Sequence, residues 1–215
     1  MGNPVSSKIA KNRALAYIGD NYGPLNLDIN YVTYNPKDSS YIISVFSNTS
    51  IDTHFFLSYR DGDIYRDDYE SAVLSGMNTM DRFCIEYKNE ITVLIGDKTK
   101  YVTNISVIPE KQVKYNIDID SEFDKSLIDN VTIIISCIGG TDAKHLSEVL
   151  KICYGTMKEN GYTAAKFEIT GQHVTSLTEL RNIKPTHIES VDLEEVLQEA
   201  IINTEYDGIT AFGKG

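Results

Sequence analysis

The chain has 215 residues, a net charge of −11 at pH 7 and 41% hydrophobic residues. This apolar share is usual for globular proteins, and the length suffices for one large domain or two small ones. The acidic balance argues against nucleic-acid binding, which depends on clustered Lys and Arg, and against an anionic membrane surface. No apolar run approaches the roughly 18 residues that span a bilayer, and the N-terminus lacks a signal-peptide core. We therefore expect a soluble chain.

The first predicted element is a helix over residues 6–22. Apolar residues recur there at steps of three and four, and Gly23-Pro24 supplies the stop. The predicted buried positions are Ile9, Ala10, Ala14, Tyr17 and Ile18. Lys8, Lys11 and Arg13 between them are typical of a solvated helix face.

A meander of antiparallel strands is predicted next. Leu27, Ile29 and Tyr31 alternate with polar residues and should share one face of the first strand, and residues 41–46 form the second. In the third, one face holds Thr53, Phe55, Leu57 and Tyr59, and the other holds His54, Phe56, Ser58 and Arg60. Asp61-Gly62 suits a two-residue type I′ hairpin turn, in which both positions need positive φ.

A long helix of about 25 residues should follow this meander and lie across the sheet, because an apolar stripe with alternating spacings of four and three runs from Val73 to Leu94. A coiled coil is the alternative, although the stripe lacks a regular pattern of flanking charges. Asp67 and Asp68 are placed where carboxylates cap a helix N-terminus.

The apolar pattern of this helix ends near Gly96. We therefore predict a domain boundary there, with domains at residues 1–98 and 99–215. In the second, residues 113–120 read as a half-exposed strand, residues 131–138 as a strand buried on both faces, and residues 142–160 as a helix ending at Gly161. A strand at 165–170 completes a parallel crossover. A last helix over 193–203 begins with Asp192 and Glu195 in capping-box spacing. The predicted fold class is α+β: a helix, an antiparallel meander and a long helix packed on the sheet, then a smaller α/β domain containing a βαβ unit.

The acidic stretch from Asp52 to Asp68 is the first candidate site. Asp61, Asp63 and Asp67 could bind a metal, but their spacing departs from the EF-hand series, and a turn plus a helix cap explains them more simply. Asp52 and His54 could form an acid/base pair, although a histidine on a strand face more often makes an ordinary hydrogen bond.

The turn after the buried strand is the second candidate. Gly139, Gly140, Thr141 and Asp142 precede a helix N-terminus, whose free N–H groups could bind an anion. The turn has neither dinucleotide nor P-loop spacing, so the simpler reading is a Gly-Gly turn with Thr141 or Asp142 as helix cap. No cofactor is predicted.

Tyrosines and cysteines supply the remaining candidates. Tyr59, Tyr65 and Tyr69 could form an aromatic interaction patch. Cys84, Cys137 and Cys153 are odd in number and widely spaced, which argues against a disulfide framework or zinc pairs and favours buried thiols.

About the first 95 residues resemble the YfjL-like family, a group of uncharacterised membrane-anchored proteins of Gram-positive bacteria. The matching segments are GNPVSSKIAKNRALAYIGDNYG, YVTYNPKDSSYIISV, DTHFFLSYRDGDIYRDDYESAV and LSGMNTMDRF. The resemblance implies one transmembrane helix before the GNP segment and a soluble part outside the cell. Because this sequence starts at Met1-Gly2-Asn3, either the anchor was removed or this member lacks it. With an anchor, the extracytoplasmic face of the membrane is expected; without one, the cytoplasm. The resemblance implies no catalytic residues.

The leading hypothesis is a non-enzymatic, surface-exposed domain that binds an unknown protein or small molecule and no nucleic acid. The alternatives are a metal-dependent or acid/base hydrolase that uses the Asp52–Asp68 cluster, and a binder of small anions at residues 139–142.

Overall fold

The computed structural model of the protein describes residues 3–111, 114–128 and 130–214. The fold divides into two compact units, Met1–Arg82 with Gln112–Glu122, and Phe83–Lys111 with Phe123–Gly215. The chain passes between these units at residues 82/83, 111/112 and 122/123, and the domain boundary at residues 98/99 stays a prediction from the sequence. The second unit, expected to be the smaller, contains more residues than the first.

The first unit consists of helix α1 (Pro4–Tyr22) and a four-stranded antiparallel sheet with strands in chain order. The strands are β1 (Leu27–Asn35), β2 (Ser40–Ser47), β3 (His54–Arg60) and β4 (Asp63–Asp67). We call the face against α1 the inner face and the opposite one the outer face. The predicted helix and meander are confirmed.

Helix α1 begins where Asn3 accepts a hydrogen bond from the backbone N–H of Val5, with Pro4 at the first helical position. Its buried residues are Ala10, Ala14 and Ile18, one per turn, and they join the core formed with Ile43 and Leu57 of the sheet. The two alanines carry small side chains, so the helix can lie close to the strands. The prediction that Ile9 is buried is wrong, since this side chain is 48% exposed.

Strand β1 contains a bulge at Asn30. The register runs from Ile29 opposite Val45 directly to Tyr31 opposite Ser44, so Asn30 has no partner on β2. An extra residue in one strand shifts the alternation, and the side chains beyond it point to the other face. Ile29 is buried, whereas Tyr31 is 48% exposed. The prediction that these two residues share a face is therefore wrong.

The hairpin between β3 and β4 has the predicted two-residue turn. Arg60 pairs with Asp63, and the turn residues have positive φ, 53° at Asp61 and 101° at Gly62. Aspartate tolerates this conformation and glycine adopts it readily, which is why this dipeptide makes the turn.

The predicted long helix is interrupted. A π-helical turn covers Glu70–Leu74, and helix α2 covers Met77–Gly96, with a break at Gly76, where φ is +76°. The apolar stripe of Met80, Cys84, Tyr87 and Ile91 is buried. From Phe83 onwards α2 belongs to the second unit, so most of this stripe lies in a domain core and not in a coiled coil.

Besides most of α2, the second unit contains β5 (Val102–Pro109), β6 (Val131–Ile138), α3 (Ala143–Glu159), β7 (Lys166–Gln172), β8 (Leu177–Ile183), α4 (Pro185–Ile188), α5 (Leu193–Asn203), β9 (Glu205–Tyr206) and β10 (Ile209–Lys214). Its strands form a six-stranded sheet in the order β5-β6-β7-β8-β10-β9. Strands β6 and β7 pair in parallel, which confirms the βαβ unit. Helix α5 has the predicted bounds, and Gly161 after α3 has the expected positive φ.

Three local predictions in the second half of the chain are wrong. Strand β6 is fully buried on one face only, because Thr132, Ile134 and Ser136 are half-buried. Asp192 does not cap α5 through its side chain, since its backbone (φ −96°, ψ 17°) is not extended as a capping residue requires. Residues 114–120 form no strand; Val113 lies outside the described residues.

Candidate functional site

The carboxylate of Asp52 has a structural partner. Its two oxygens accept hydrogen bonds from Nε and Nη2 of Arg82, both at 2.9 Å, and Oδ2 also accepts the backbone N–H of Asp120 at 3.0 Å. Asp52 is 2% exposed. Burial alone would raise its pKa, but the hydrogen bonds from Arg82 and Asp120 outweigh burial and lower the pKa below 3.8. An ionised, bidentate partner of arginine is poorly suited to accept a proton.

His54 is not paired with this carboxylate through any described hydrogen bond or ion pair. It begins β3 with an exposed side chain, and its backbone oxygen accepts a hydrogen bond from Asn78 at 2.6 Å. The structure therefore does not bring Asp52 and His54 together as an acid/base pair.

Asp61, Asp63 and Asp67 do not converge either. Asp61 and Asp63 are exposed, in the turn and on β4. Asp67 is partly buried, and its Oδ2 accepts hydrogen bonds from the hydroxyl groups of Tyr17 at 3.0 Å and Tyr22 at 2.6 Å. Its Oδ1 accepts the backbone N–H of Tyr69 at 2.9 Å, directly before the π-helical turn. Within the described residues, no group of three or more His, Cys, Asp or Glu side chains could hold a metal.

The turn at Gly139–Asp142 is occupied by its own side chains. Asp142 accepts the backbone N–H of His145 at 3.0 Å, which places a carboxylate where an anion would bind. The imidazole of His145 lies over the turn, with Nε2 3.0 Å from the backbone oxygen of Ile138 and its ring against Tyr101. The Thr141 hydroxyl lies 3.4 Å from Ser176 Oγ. This arrangement favours a turn with a helix cap over an anion site.

The three tyrosines proposed as one patch lie in different surroundings. Tyr69 packs against Tyr22 and Phe55, with ring centroids 4.7 and 5.2 Å away. Tyr59 packs against Tyr41 on the inner face. Tyr65 is 44% exposed and lies under the guanidinium of Arg60. All three belong to the first unit, but they do not form one continuous surface.

A groove lies on the outer face of the sheet in the first unit. Strand register places Tyr31, Ser44 and Phe56 side by side in one row. Thr33, Ile42, Ser58 and Arg66 form the next row. The aromatic side chains stand beside small serine and threonine residues, which leaves an open depression of about 300 Å³. Tyr31 is 48% and Phe56 41% exposed, so the groove presents aromatic surface to solvent.

An ion pair lies at one end of the groove. Arg66 on β4 donates from Nε to Asp68 Oδ1 at 2.7 Å, and the backbone N–H of Asp68 donates to the oxygen of Phe56. The Arg66 side chain is 66% exposed and that of Asp68 23%. The groove is thus apolar along its aromatic row and charged at the β4 end.

Part of this groove was visible in the sequence. Alternation in β3 correctly placed His54, Phe56, Ser58 and Arg60 on one face. The contribution of Tyr31 depends on the bulge at Asn30, and Asn30 carries no glycine-like signal that would mark a bulge. In the described part of the chain, no helix is both long and apolar enough to cross a membrane.

Comparisons with known proteins identify a family resemblance for the N-terminal residues only. Residues 1–68 match the family model described as "YfjL-like, N-terminal domain". None of the curated proteins matches the sequence significantly. One solved structure, of a DUF5037 family protein from Ruminococcus gnavus ATCC 29149, is 12% identical, covers 95% of this chain and 90% of that chain, and superposes with a TM-score of 0.25, too low to indicate a shared fold. The resemblance of this chain to the YfjL-like family is thus confirmed over its N-terminal residues.

Proposed function

We propose that this protein is a non-enzymatic binding module, and that the outer face of its four-stranded sheet recognises a partner protein. The observation that carries the proposal is the groove between Tyr31 and Phe56, two aromatic side chains that are 48% and 41% exposed. Aromatic residues supply much of the binding energy in protein interfaces, where they fill pockets or are themselves buried. The inner face packs against α1, so the outer face is the one available to a partner.

The acidic side chains support binding over hydrolysis. Asp52 forms an ion pair with Arg82, and Asp67 accepts hydrogen bonds from Tyr17 and Tyr22. A hydrolase would need such groups to converge on a bound substrate.

We also propose that the module acts at the extracytoplasmic face of a bacterial membrane, because the YfjL-like resemblance implies that location. Protease accessibility in intact cells tests this location separately.

Selection from a displayed library of random peptides tests the proposed surface. The whole chain is immobilised, and enriched peptides are measured against Phe56→Ser, Tyr31→Ser and the control Val191→Ser. Val191 is 90% exposed and belongs to the second unit. We expect each groove variant to weaken binding about tenfold or more, as for a central aromatic residue in an interface, and the control to bind like the wild type. Circular dichroism verifies that each variant is folded. Equal binding to all four proteins would refute the proposal.

A further inference from the structure

We infer that the segment recognised by this groove carries one large apolar side chain next to a carboxylate, and that the carboxylate pairs with Arg66. This inference rests on the proposed function and specifies the chemistry of the partner. It depends on the size of the groove, on the exposure of the Arg66–Asp68 pair and on the charge of the whole chain.

The size of the groove limits the size of the apolar group that a partner can insert. A depression of about 300 Å³ lies at the lower end of the range for ligand pockets. Between Tyr31 and Phe56 it can accept a single aromatic or branched aliphatic side chain and cannot bury a long apolar strip. Interfaces of this kind are organised around one anchoring residue. A stable dimer interface buries about 800 Å² on each partner, so a depression of this size favours a single anchoring side chain of another protein over a second copy of this chain.

The ion pair fixes the charge of the neighbouring group. The Arg66 side chain is 66% exposed and its partner Asp68 only 23%, so the pair presents its cationic member to solvent. Arg60, which is 44% exposed and lies 3.7 Å from the carboxylate of Asp61, is on the same face two residues beyond Ser58. A guanidinium has several N–H donors in a planar fork that matches a carboxylate, and Asp68 engages Nε.

The net charge of the chain makes the surface around Arg66 selective for an acidic segment. The chain carries −11 at pH 7, so an acidic segment is repelled by most of the surface and attracted where an arginine is exposed. A basic segment would find many other acidic residues on the surface, and among the described residues that line the groove it could pair only with Asp68. Charge complementarity at the groove therefore favours a carboxylate-bearing partner.

Three pools of synthetic peptides test this inference on the whole chain. The pools share a central Phe, Trp or Leu and differ only in its neighbours, which are Glu, Gln or Lys. We expect the wild type to retain the Glu pool about two- to fivefold better than the Gln pool, as an exposed ion pair allows, and the Lys pool least. The preference should shrink when ionic strength rises from about 0.01 to 0.15 M.

Variants separate the charge from the groove. Arg66→Gln should abolish the preference for Glu, Asp68→Asn should strengthen it, and Lys8→Gln on α1 should leave it unchanged. If the pools bind equally to the wild type and Phe56→Ser still weakens them, the inference is wrong and the proposed function stands. If Phe56→Ser has no effect on any pool, the proposed function itself fails.

Discussion

The carboxylate of Asp52 is 2% exposed and faces the guanidinium of Arg82 across two hydrogen bonds of 2.9 Å. Its partners come from α2 and from the turn at Asp120, which are 30 and 68 residues away in sequence. Residues adjacent to Asp52 in the sequence could not reveal these distant partners, so the sequence suggested an acid/base pair with His54. Long-range partners decide what a buried ionisable residue does, and here they commit Asp52 to structure.

Substitution of Asp52 by Asn tests this role. The variant removes the buried carboxylate that pairs with Arg82, and removal of one member of a buried ion pair costs about 3 kcal/mol of unfolding free energy. Urea unfolding measures the loss. Asp61→Asn is the matched control, since the Asp61 side chain is 92% exposed and asparagine tolerates its positive φ. Equal stability of both variants would contradict the structural role.

The same pair predicts how stability depends on pH. The pKa of Asp52 is lower in the folded state than its ordinary value of 3.8, because hydrogen bonds from Arg82 outweigh the opposing effect of burial. A depressed pKa contributes stability that is complete above the unfolded pKa and is lost as the pH falls through the folded pKa. Between pH 6 and about 3, the wild type should therefore lose more stability than Asp52→Asn. Parallel pH profiles would show that Asp52 is not the titrating group.

At the scale of elements, backbone conformation decides what each glycine contributes. Gly62 in the β3–β4 turn has a φ of +101°, which strains any residue with a Cβ. Gly19 lies inside helix α1, and a Cβ added there would meet no atom within 4 Å. The same change to alanine should therefore have opposite effects at the two positions.

Thermal or urea unfolding of the two alanine variants tests this contrast. Gly62→Ala should lower the unfolding free energy by about 1 kcal/mol or more, because the turn is strained. Gly19→Ala should raise it by about 0.5–1 kcal/mol, because glycine loses more backbone entropy in a helix. Stabilisation by Gly62→Ala would contradict the type I′ turn.

Asp67 connects α1 with β4 through the hydroxyl groups of Tyr17 and Tyr22. Burial and the hydrogen bond to Asp67 both raise the pKa of Tyr22, so its hydroxyl stays a donor at neutral pH. Asp67→Ala leaves both hydroxyl groups without this acceptor and should cost about 2–3 kcal/mol. Asp63→Ala on the same strand should leave stability unchanged. If Tyr22→Phe destabilises Asp67→Ala as much as it destabilises the wild type, the hydrogen bond contributes nothing.

At the scale of the whole molecule, the sequence predicted most elements and few of the contacts that hold residues in place. Helix α5 and the βαβ unit were found because periodicity and turn residues agreed locally. The alternation at 114–120 predicted a strand, yet this segment is held by other means: the Tyr115 N–H donates to the Ser75 oxygen, and Asp120 bonds to Asp52. The outer-face groove needed the strand register, which a single bulge changes.

The three free cysteines all belong to the second unit and report on the integrity of its core. Cys84, Cys137 and Cys153 are buried, and burial raises the pKa of Cys137 to about 11 and that of Cys153 to about 12. Thiol reagents attack the thiolate, so the native protein should react only as fast as it unfolds. Titration with a chromogenic disulfide measures this rate with and without denaturant. A thiol that reacts immediately in the native state would contradict the packing described.

The proposed function depends on the outer face of the first sheet. Backbone amide shifts of the whole chain, followed while a selected apolar–acidic peptide is titrated, map that surface directly. The account predicts saturable changes centred on Tyr31, Ser44 and Phe56, which disappear in Phe56→Ser and persist in Val191→Ser. Changes confined to α1 or to the second unit, or unaffected by Phe56→Ser, would contradict it.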